Sequence, residues 1–395
     1  MSRNAIYLLS ARRSAIGRFG GSLKDLPPAD LLTPVMQAAI SDSGLPPDRL
    51  ERSVIGNVLH TAPADPYLAR YCALKAGLSH SSTALAVNRL CGSGLEAVIH
   101  LAMGIRLGEV AAGIAGGVES MSRAPHIAPD LRFGHRLGDS RLLDMLPGPL
   151  TDPFGHGHMG ETTEHLAREC GIDREAMDAL ALSSQRRAQA AIEAGHFDGQ
   201  IVPIEIPGPD GPRLFQRDEH PRPDMTREKL AALRPAFVPD GAVTAGNSSG
   251  INDGAAALVL CDAETARQCR PMAQILAWGH AGVEPRMMGL GPVPASRQAL
   301  ARAGITASQL HVVESNEAFA AQACAVTKAL GLDPAIVNPN GGAIALGHPI
   351  GATGAILLVK LVHELIRRDG RYGLATLCIG GGQGVALVVE NLQRA

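Results

Sequence analysis

Three side chains able to do covalent or acid–base chemistry stand in separate glycine-rich contexts: Cys91 in NRLCGSGLEAV, His348 in GGAIALGHPIGATG and Cys378 in CIGGGQG. Glycine neighbours leave a side chain accessible and let backbone N–H groups approach a ligand closely. Two thiols with an imidazole suit work on a thioester. One thiolate can carry an acyl group, while a second thiol of ordinary pKa, about 8.5, can remove and return a proton at carbon. Joining two acyl thioesters through carbon requires both tasks, whereas a cysteine protease requires one cysteine and one histidine.

The surrounding sequence says which elements must hold these groups. Cys91 is followed by Gly92, Ser93 and Gly94, then by LEAVIHLAMGIRLGE, whose apolar residues recur at helical spacing, so the thiol stands where a helix begins. Backbone N–H groups and the helix dipole there favour an anion, which predicts a lowered pKa and a thiolate near neutrality. The plain alternative is a buried structural cysteine. His348 precedes PIGATGAILLVKLVHELIRR, another apolar-periodic stretch, with Pro349 near its first turn. A histidine there, titrating near neutrality, suits general-base work; the alternative is a loop histidine that caps or packs. Cys378 ends an apolar strand, GLATLCI, and enters Gly380, Gly381, Gly382 and Gly384. That run presents N–H groups as an oxyanion hole would, or else makes a tight turn after a buried strand.

With 395 residues the chain is long enough for two or three domains. Lys and Arg number 36 against 38 Asp and Glu, and aromatic residues make up 3%, so neither the charge nor the stacking platforms of a nucleic-acid binder are present. No apolar run is long enough to span a membrane. The seven cysteines are scattered, odd in number and without a CxxC pair, which argues against a disulfide framework or a zinc ribbon and for a reducing compartment. The Arg-rich start has a faint transit-peptide flavour, yet AIYLLSA reads better as an opening strand, and a cytoplasmic location is expected.

Strand-like runs alternate with helical patterns at both ends of the chain, an α/β signature. The two ends also resemble each other. DSGLPPDRLERSVIGNVL parallels RAGITASQLHVVESNEAF, Cys91-GSG and His348-PIGATG each open a helix, and AAGIAGGVES parallels ATLCIGGGQG. Three correspondences in one order predict an internal duplication, with a site at the junction of the halves. Residues 122–251 interrupt the first half and carry an amphipathic helix, DREAMDALALSSQRRAQAAIEAG, which reads as a lid or binding region. VTAGNSSGINDGAAALVL returns the chain to the core.

NRLCGSG, GGVESMSRAP, TAGNSSGINDGAAA, NEAFA, GGAIALGHPIGATG and CIGGGQG together make the chain similar to the thiolase family over essentially its full length. The resemblance implies a five-layer αβαβα fold of two duplicated halves, 1–121 with 252–270 and 271–395, and a loop domain, 122–251, for coenzyme A and oligomer contacts. It implies a homodimer or homotetramer, acyl-CoA substrates, no permanently bound cofactor, and neither nucleic-acid nor membrane partners. Residue by residue, Cys91 resembles the nucleophile that becomes acetylated, His348 the base that activates it, and Cys378 the acid/base that moves the α-proton of the second acetyl group. Asn316 of NEAFA resembles the asparagine that positions a water, forming with His348 an oxyanion hole for the enolate. Backbone N–H groups of Cys91 and Gly380 resemble a second hole, for the tetrahedral intermediate. Ser249 matches the serine of the NxSG motif, and His158, Met159, Phe237, Met288, Phe319 and Ala320 match or neighbour positions lining the pantetheine and acyl pocket. Ser248 departs from the usual alanine. For Phe237, Met288 and Phe319 the plain alternative is core packing; His156, His158, Glu161 and His165 are read as cavity lining and not as a metal site, so no metal is expected.

The implied reaction is condensation of two acetyl-CoA to acetoacetyl-CoA and coenzyme A, and the reverse thiolysis. The GGVESMSRAP and DEHPRP stretches also resemble degradative thiolases acting on 3-oxoadipyl-CoA, whose distal carboxylate wants a cation such as Arg123, Arg132 or Arg136. A broader 3-ketoacyl-CoA thiolase is a further alternative. A non-catalytic acyl-CoA-binding protein on the same scaffold predicts loss of one of the four catalytic side chains, and all are present. A decarboxylating ketoacyl synthase would need a second histidine in place of Cys378.

Overall fold

The computed structural model describes residues 5–208 and 211–394. The outermost residues of the expected halves, 1–4 and 395, and residues 209 and 210 of the expected insertion lie outside these.

Nine principal strands form one twisted sheet: β1 (Ile6–Ser14), β2 (Arg52–Gly56), β3 (Thr83–Val87), β4 (Ala112–Ser120), β5 (Asn252–Cys261), β6 (Ala273–Gly282), β7 (Leu310–Ser315), β8 (Tyr372–Ile379) and β9 (Gln383–Asn391). They lie in the order β7-β8-β9-β6-β1-β5-β4-β2-β3. AIYLLSA is indeed strand: it supplies most of β1. The central strands, covered on both faces, read as continuous apolar runs; β5 is buried at every position.

The order is palindromic about the joint between β1 and β6. Outward in one direction stand β1, β5, β4, β2 and β3; in the other stand β6, β9, β8, β7 and then Val337, bridged to Val313. Strand directions match as well: β2 runs parallel to β4 and β3, and β7 parallel to β8 and to the Val337 bridge. The duplication expected from sequence is therefore present in the topology. The joint itself is short, with Ile6, Tyr7 and Leu8 pairing Ile275, Gln274 and Ala273.

Seven helices complete the parts that matter for the site: α1 (Pro28–Ser43), α2 (Ser93–Arg106), α3 (Met159–Cys170), α4 (Arg174–Glu193), α5 (Pro292–Ala303), α6 (Ala320–Leu330) and α7 (Ile350–Arg367). α2 and α7 lie against each other, and each touches strands of both halves. They fill the space between the two wings of the sheet. α7 is apolar almost all round, as a helix with no solvent face must be. Their backbones nearly touch: a Cβ on Gly94 would stand 2.7 Å from Ala355 N, and one on Gly354 would stand 2.4 Å from Leu95 N. α1 covers the outer face of the first wing with Leu31, Leu32, Val35 and Met36, and α5 covers the second with Ala295, Ala299 and Leu300. The sequence of layers is helix, sheet, helix pair, sheet, helix. Each buried Leu, Ile or Val in these layers contributes about 1.5–3 kcal/mol through the area it removes from water.

Between β4 and β5 the chain leaves the sheet. α3 starts at a capping box in which His158 Nδ1 accepts from Gly160 N at 3.1 Å and Glu161 Oε1 accepts from His158 N at 2.8 Å. The amphipathic stretch becomes α4, capped by Asp173. Together with α6 these helices enclose an apolar cluster of Met159, Leu166, Met177, Met288, Phe319 and Ile344, and it extends to Cys378.

Candidate functional site

Cys91 lies in a tight turn between β3 and α2, two residues before the first helical residue. The turn is tied by its own polar groups: Arg89 N donates to Ser93 Oγ at 2.8 Å, Ser93 Oγ donates to Leu90 O at 2.6 Å, and Gly92 N donates to Arg89 O at 3.0 Å. Leu90 is held at φ +47°, a left-handed conformation that costs a non-glycine residue about 1–2 kcal/mol. The strain falls on the residue immediately before the thiol.

The electrostatics reverse the first expectation. Burial pushes the Cys91 thiol up to about 11, although N–H groups of Gly380 and of Cys91 itself hydrogen-bond to the sulfur and oppose the shift. The nearby Glu119 carboxylate acts in the same direction as burial. Desolvation outweighs the helix terminus because the half-buried sulfur is packed among protein atoms, which favours its neutral form. At neutral pH Cys91 is therefore a thiol.

His348 has been shifted too. His348 is buried at the start of α7, and desolvation lowers its pKa to about 4, so at neutral pH the imidazole is uncharged. Its Nε2 is 3.4 Å from Asn316 Nδ2, and its Nδ1 is 2.6 Å from Thr353 Oγ1. The backbone is fixed by Asn252, whose Oδ1 accepts from His348 N at 2.9 Å while its Nδ2 donates to Gly17 O at 2.9 Å and lies 3.3 Å from His220 Nδ1. Glu119 holds the other side of the same loop. It accepts from Gly351 N at 2.8 Å, from Val58 N and Leu59 N at 3.1 Å, and from Asn57 Nδ2 at 3.2 Å.

Cys378 is 2% exposed in β8, opposite Gly384 of β9. Sequence alone predicts an ordinary thiol here; burial, and after it the proximity of Cys91, raise its pKa instead. The glycines after it do turn the chain: Gly381 and Gly382 sit at φ +80° and +85° and lead straight into β9. Asn316 is anchored through its N–H to Thr376 O at 3.0 Å, and its Oδ1 is buried without a protein partner among the described residues.

Cys91, His348, Cys378 and Gly380 open onto one cavity of about 680 Å³. His158, Met159, Phe237, Ser249, Met288 and Phe319, all singled out from sequence, line it too. His158 stacks on Phe237 with centroids 4.9 Å apart, and Phe319 meets Phe237 edge-on at 6.0 Å. Asn316 stands behind His348 and not on the cavity wall. Ala320 does not line the cavity: it opens α6, fully buried, with its N–H donated to Asn247 O, and Ala318 takes the wall position. Ser248 donates its hydroxyl to Thr244 O at 2.7 Å, which absorbs the departure from alanine within its own turn. Arg123 donates to Asp25 O at 3.3 Å, Arg132 and Arg136 are exposed, and the guanidinium-bearing residues of the cavity are Arg18 and Arg222.

Sequence reasoning missed Arg18, Met121, Leu150, His220 and Ile350 on the wall, and Glu119, Asn252 and Thr353 behind it. Glu119 lies in GGVES, Asn252 in GIND and Thr353 in GATG, motifs whose local pattern carries no sign that these side chains act as supports.

A neutral imidazole, a protonated thiol and a second thiol that feels the first electrostatically share one cavity, an arrangement suited to proton transfer to and from sulfur and carbon. The chain matches the family described as "Thiolase, N-terminal domain" over residues 6–264 and "Thiolase, C-terminal domain" over residues 269–391. It is 53% identical over 390 residues to "Beta-ketothiolase BktB" of Cupriavidus necator, covering 98% of this chain and 99% of that protein. The fold superposes with a TM-score of 0.96 on the Bacillus anthracis acetyl-CoA acetyltransferase, at 45% identity, covering 98% and 99% of the two chains. It superposes with a TM-score of 0.95 on human mitochondrial 3-ketoacyl-CoA thiolase in complex with CoA, at 41% identity, covering 98% of each chain. Two half-chain matches meeting where β5 gives way to β6, around a cavity that joins two thiols to an imidazole, make this chain a member of the thiolase family of acyltransferases.

Proposed function

We propose that the protein transfers acetyl groups between coenzyme A thioesters through an acetyl-Cys91 intermediate. The cycle closes with every proton accounted for. His348 Nε2 takes the Cys91 proton as Sγ bonds to the thioester carbon of one acetyl-CoA, and the oxyanion is held by N–H groups of Cys91 and Gly380. The C–S bond to coenzyme A then breaks, and the departing thiolate takes its proton from Cys378. The Cys378 thiolate, a strong base because it is buried, removes the α-proton of a second acetyl-CoA. Asn316, whose buried Oδ1 supports the reading that it holds a water, stabilises the resulting enolate together with His348. The enolate carbon bonds to the acetyl carbon, the Cys91 C–S bond breaks, and His348 returns the proton to Cys91. Thiolysis is the same path reversed.

The observation that carries this reading is the shared cavity of Cys91, Cys378 and an uncharged His348. Cys378→Ser tests it. The variant should still become acetylated at Cys91 by acetyl-CoA, more slowly because coenzyme A must leave as the thiolate and take its proton from water, as seen by mass spectrometry, while condensation falls by about three orders of magnitude or more. Condensation at the normal rate would remove Cys378 from the mechanism.

His158, Met159, Phe237, Ser249, Met288 and Phe319 are our assignment for the pantetheine and acyl wall, with residues 122–251 as the loop domain, 1–121 with 252–270 as the first half and 271–395 as the second. The exposed apolar side chains of Phe133, Leu137 and Leu142 support self-association as a homodimer or homotetramer. Among the described residues no helix is long and apolar enough to cross a membrane, and we place the protein in the cytoplasm. A second reading, cleavage of a 3-oxoacyl thioester ending in a carboxylate, is favoured by Arg18 and Arg222 on the cavity wall. Thiolysis of a panel running from acetoacetyl-CoA to longer 3-oxoacyl esters and 3-oxoadipyl-CoA separates the two: the highest kcat/KM belongs to the shortest ester on the first reading and to the dicarboxylic ester on the second.

A further inference from the structure

The proton position on the general base is set by one hydroxyl. Thr353 Oγ1 donates to Pro349 O at 2.8 Å and lies 2.6 Å from His348 Nδ1. A threonine hydroxyl has a single proton and a carbonyl oxygen can only accept, so once Pro349 O receives that proton Oγ1 faces the imidazole with lone pairs alone. The short contact then requires Nδ1 to be the donor. The other ring nitrogen agrees. Nε2 faces Asn316 Nδ2, itself a donor, at 3.4 Å, which suits a lone pair and not a second N–H. A neutral imidazole carries one N–H, and both neighbours place it on Nδ1.

We propose that Thr353 is a positioning residue that holds His348 as the Nδ1–H tautomer, leaving the Nε2 lone pair free to take the Cys91 proton. This rests on the reading of His348 as the base. Helix geometry makes the device rigid: Thr353 lies four residues after Pro349 in the first turn of α7, where a threonine side chain reaches the carbonyl one turn back. Its partner is uncharged. A carboxylate in the same place would favour the imidazolium, whereas a hydroxyl orients the ring without adding charge, in keeping with a histidine that burial holds neutral. Without the hydroxyl, Nδ1 loses its acceptor, the Nε2–H tautomer becomes competitive, and that form cannot accept the thiol proton.

The test joins spectroscopy to kinetics. In protein labelled with nitrogen-15 at histidine, with the His348 signal assigned by its absence in His348→Asn, the wild type near neutral pH should show protonated Nδ1 and bare Nε2. Thr353→Val should move population to Nε2–H and lower kcat about 10–100-fold, with KM for the thioester changed less than about twofold, and Thr353→Ser should restore kcat to within about threefold of wild type. A wild-type spectrum with Nε2–H, a valine variant that keeps both tautomer and kcat, or a serine variant as slow as valine each overturns the proposal. Should the valine variant not fold, the wild-type spectrum and the serine variant still decide. If His348→Asn turns over normally the base assignment is what fails, and the wild-type spectrum reports the tautomer regardless.

Discussion

β4 and β8 occupy the same place in the two halves, yet they end in opposite ways. β8 closes at once through Gly380, Gly381 and Gly382 into β9, while β4 opens into residues 121–251 before β5 returns. The tight ending sets the Gly380 N–H against the Cys91 sulfur; the open ending supplies His158, Met159 and Phe237 to the cavity wall. Duplication provided two equivalent strand ends, and only one could be kept short if the cavity was to have walls. The same division separates chemistry from recognition. Cys91 and His348 begin the equivalent helices α2 and α7, whereas most of the cavity lining comes from the excursion.

The comparison breaks most completely at the sulfur. Cys91→Ala should lower turnover by about four orders of magnitude and abolish the acetyl adduct in mass spectra; a loss below tenfold would move the nucleophile elsewhere. Next is the tight ending. A Cβ on Gly382 would stand 2.4 Å from Val283 O in a left-handed backbone, so Gly382→Val should lower stability by about 3 kcal/mol or more and depress Tm. A variant of unchanged Tm would mean that the glycine turn is dispensable.

Acid should act on both sides of the comparison, through His348 at a helix start and His220 within the excursion. His348 and His220 are both held near a pKa of about 4, below the ordinary 6.5, chiefly by burial. Above about 6.5 neither the folded nor the unfolded chain binds these protons; between 6.5 and 4 the unfolded chain binds them and the folded one does not, so stability declines across that window. The acid limb of kcat/KM should fall near pH 4, because neutral His348 is the competent form, and a midpoint at 6.5 would contradict its burial. On the open side the effects are smaller. Phe237→Ala removes the stack on His158 and the edge contact with Phe319, and should raise KM about tenfold with kcat within about threefold. Phe133, 98% exposed, should be replaceable by Ser with unchanged kcat, the readout being any shift in solution mass.

Local pattern was enough for much of this. The apolar period after Cys91 and after His348, the alternation of runs at both ends, and the three paired segments led to α2, α7, β4 and β8 and to one shared cavity. What failed was anything set by distant atoms. The sequence puts Cys91 at a helix start and suggests an anion; burial, with Glu119 nearby, makes it a thiol instead. Ala320 and Ala318 are indistinguishable in NEAFAAQ, and only the Asn247 contact shows which turns inward. Gly94 and Gly354 were part of recognised motifs, yet their need for hydrogen in place of a side chain arises from two helices far apart in the chain. Thr353 is the clearest case: nothing in GATG announces a partner for an imidazole ring.

The raised pKa of Cys91 has a chemical benefit beyond the function proposed above. Peroxides and stray electrophiles react with thiolates far faster than with thiols. Between turnovers Cys91 offers them the unreactive form, so this enzyme should tolerate oxidising conditions that disable hydrolases whose cysteine rests ionised beside a charged histidine.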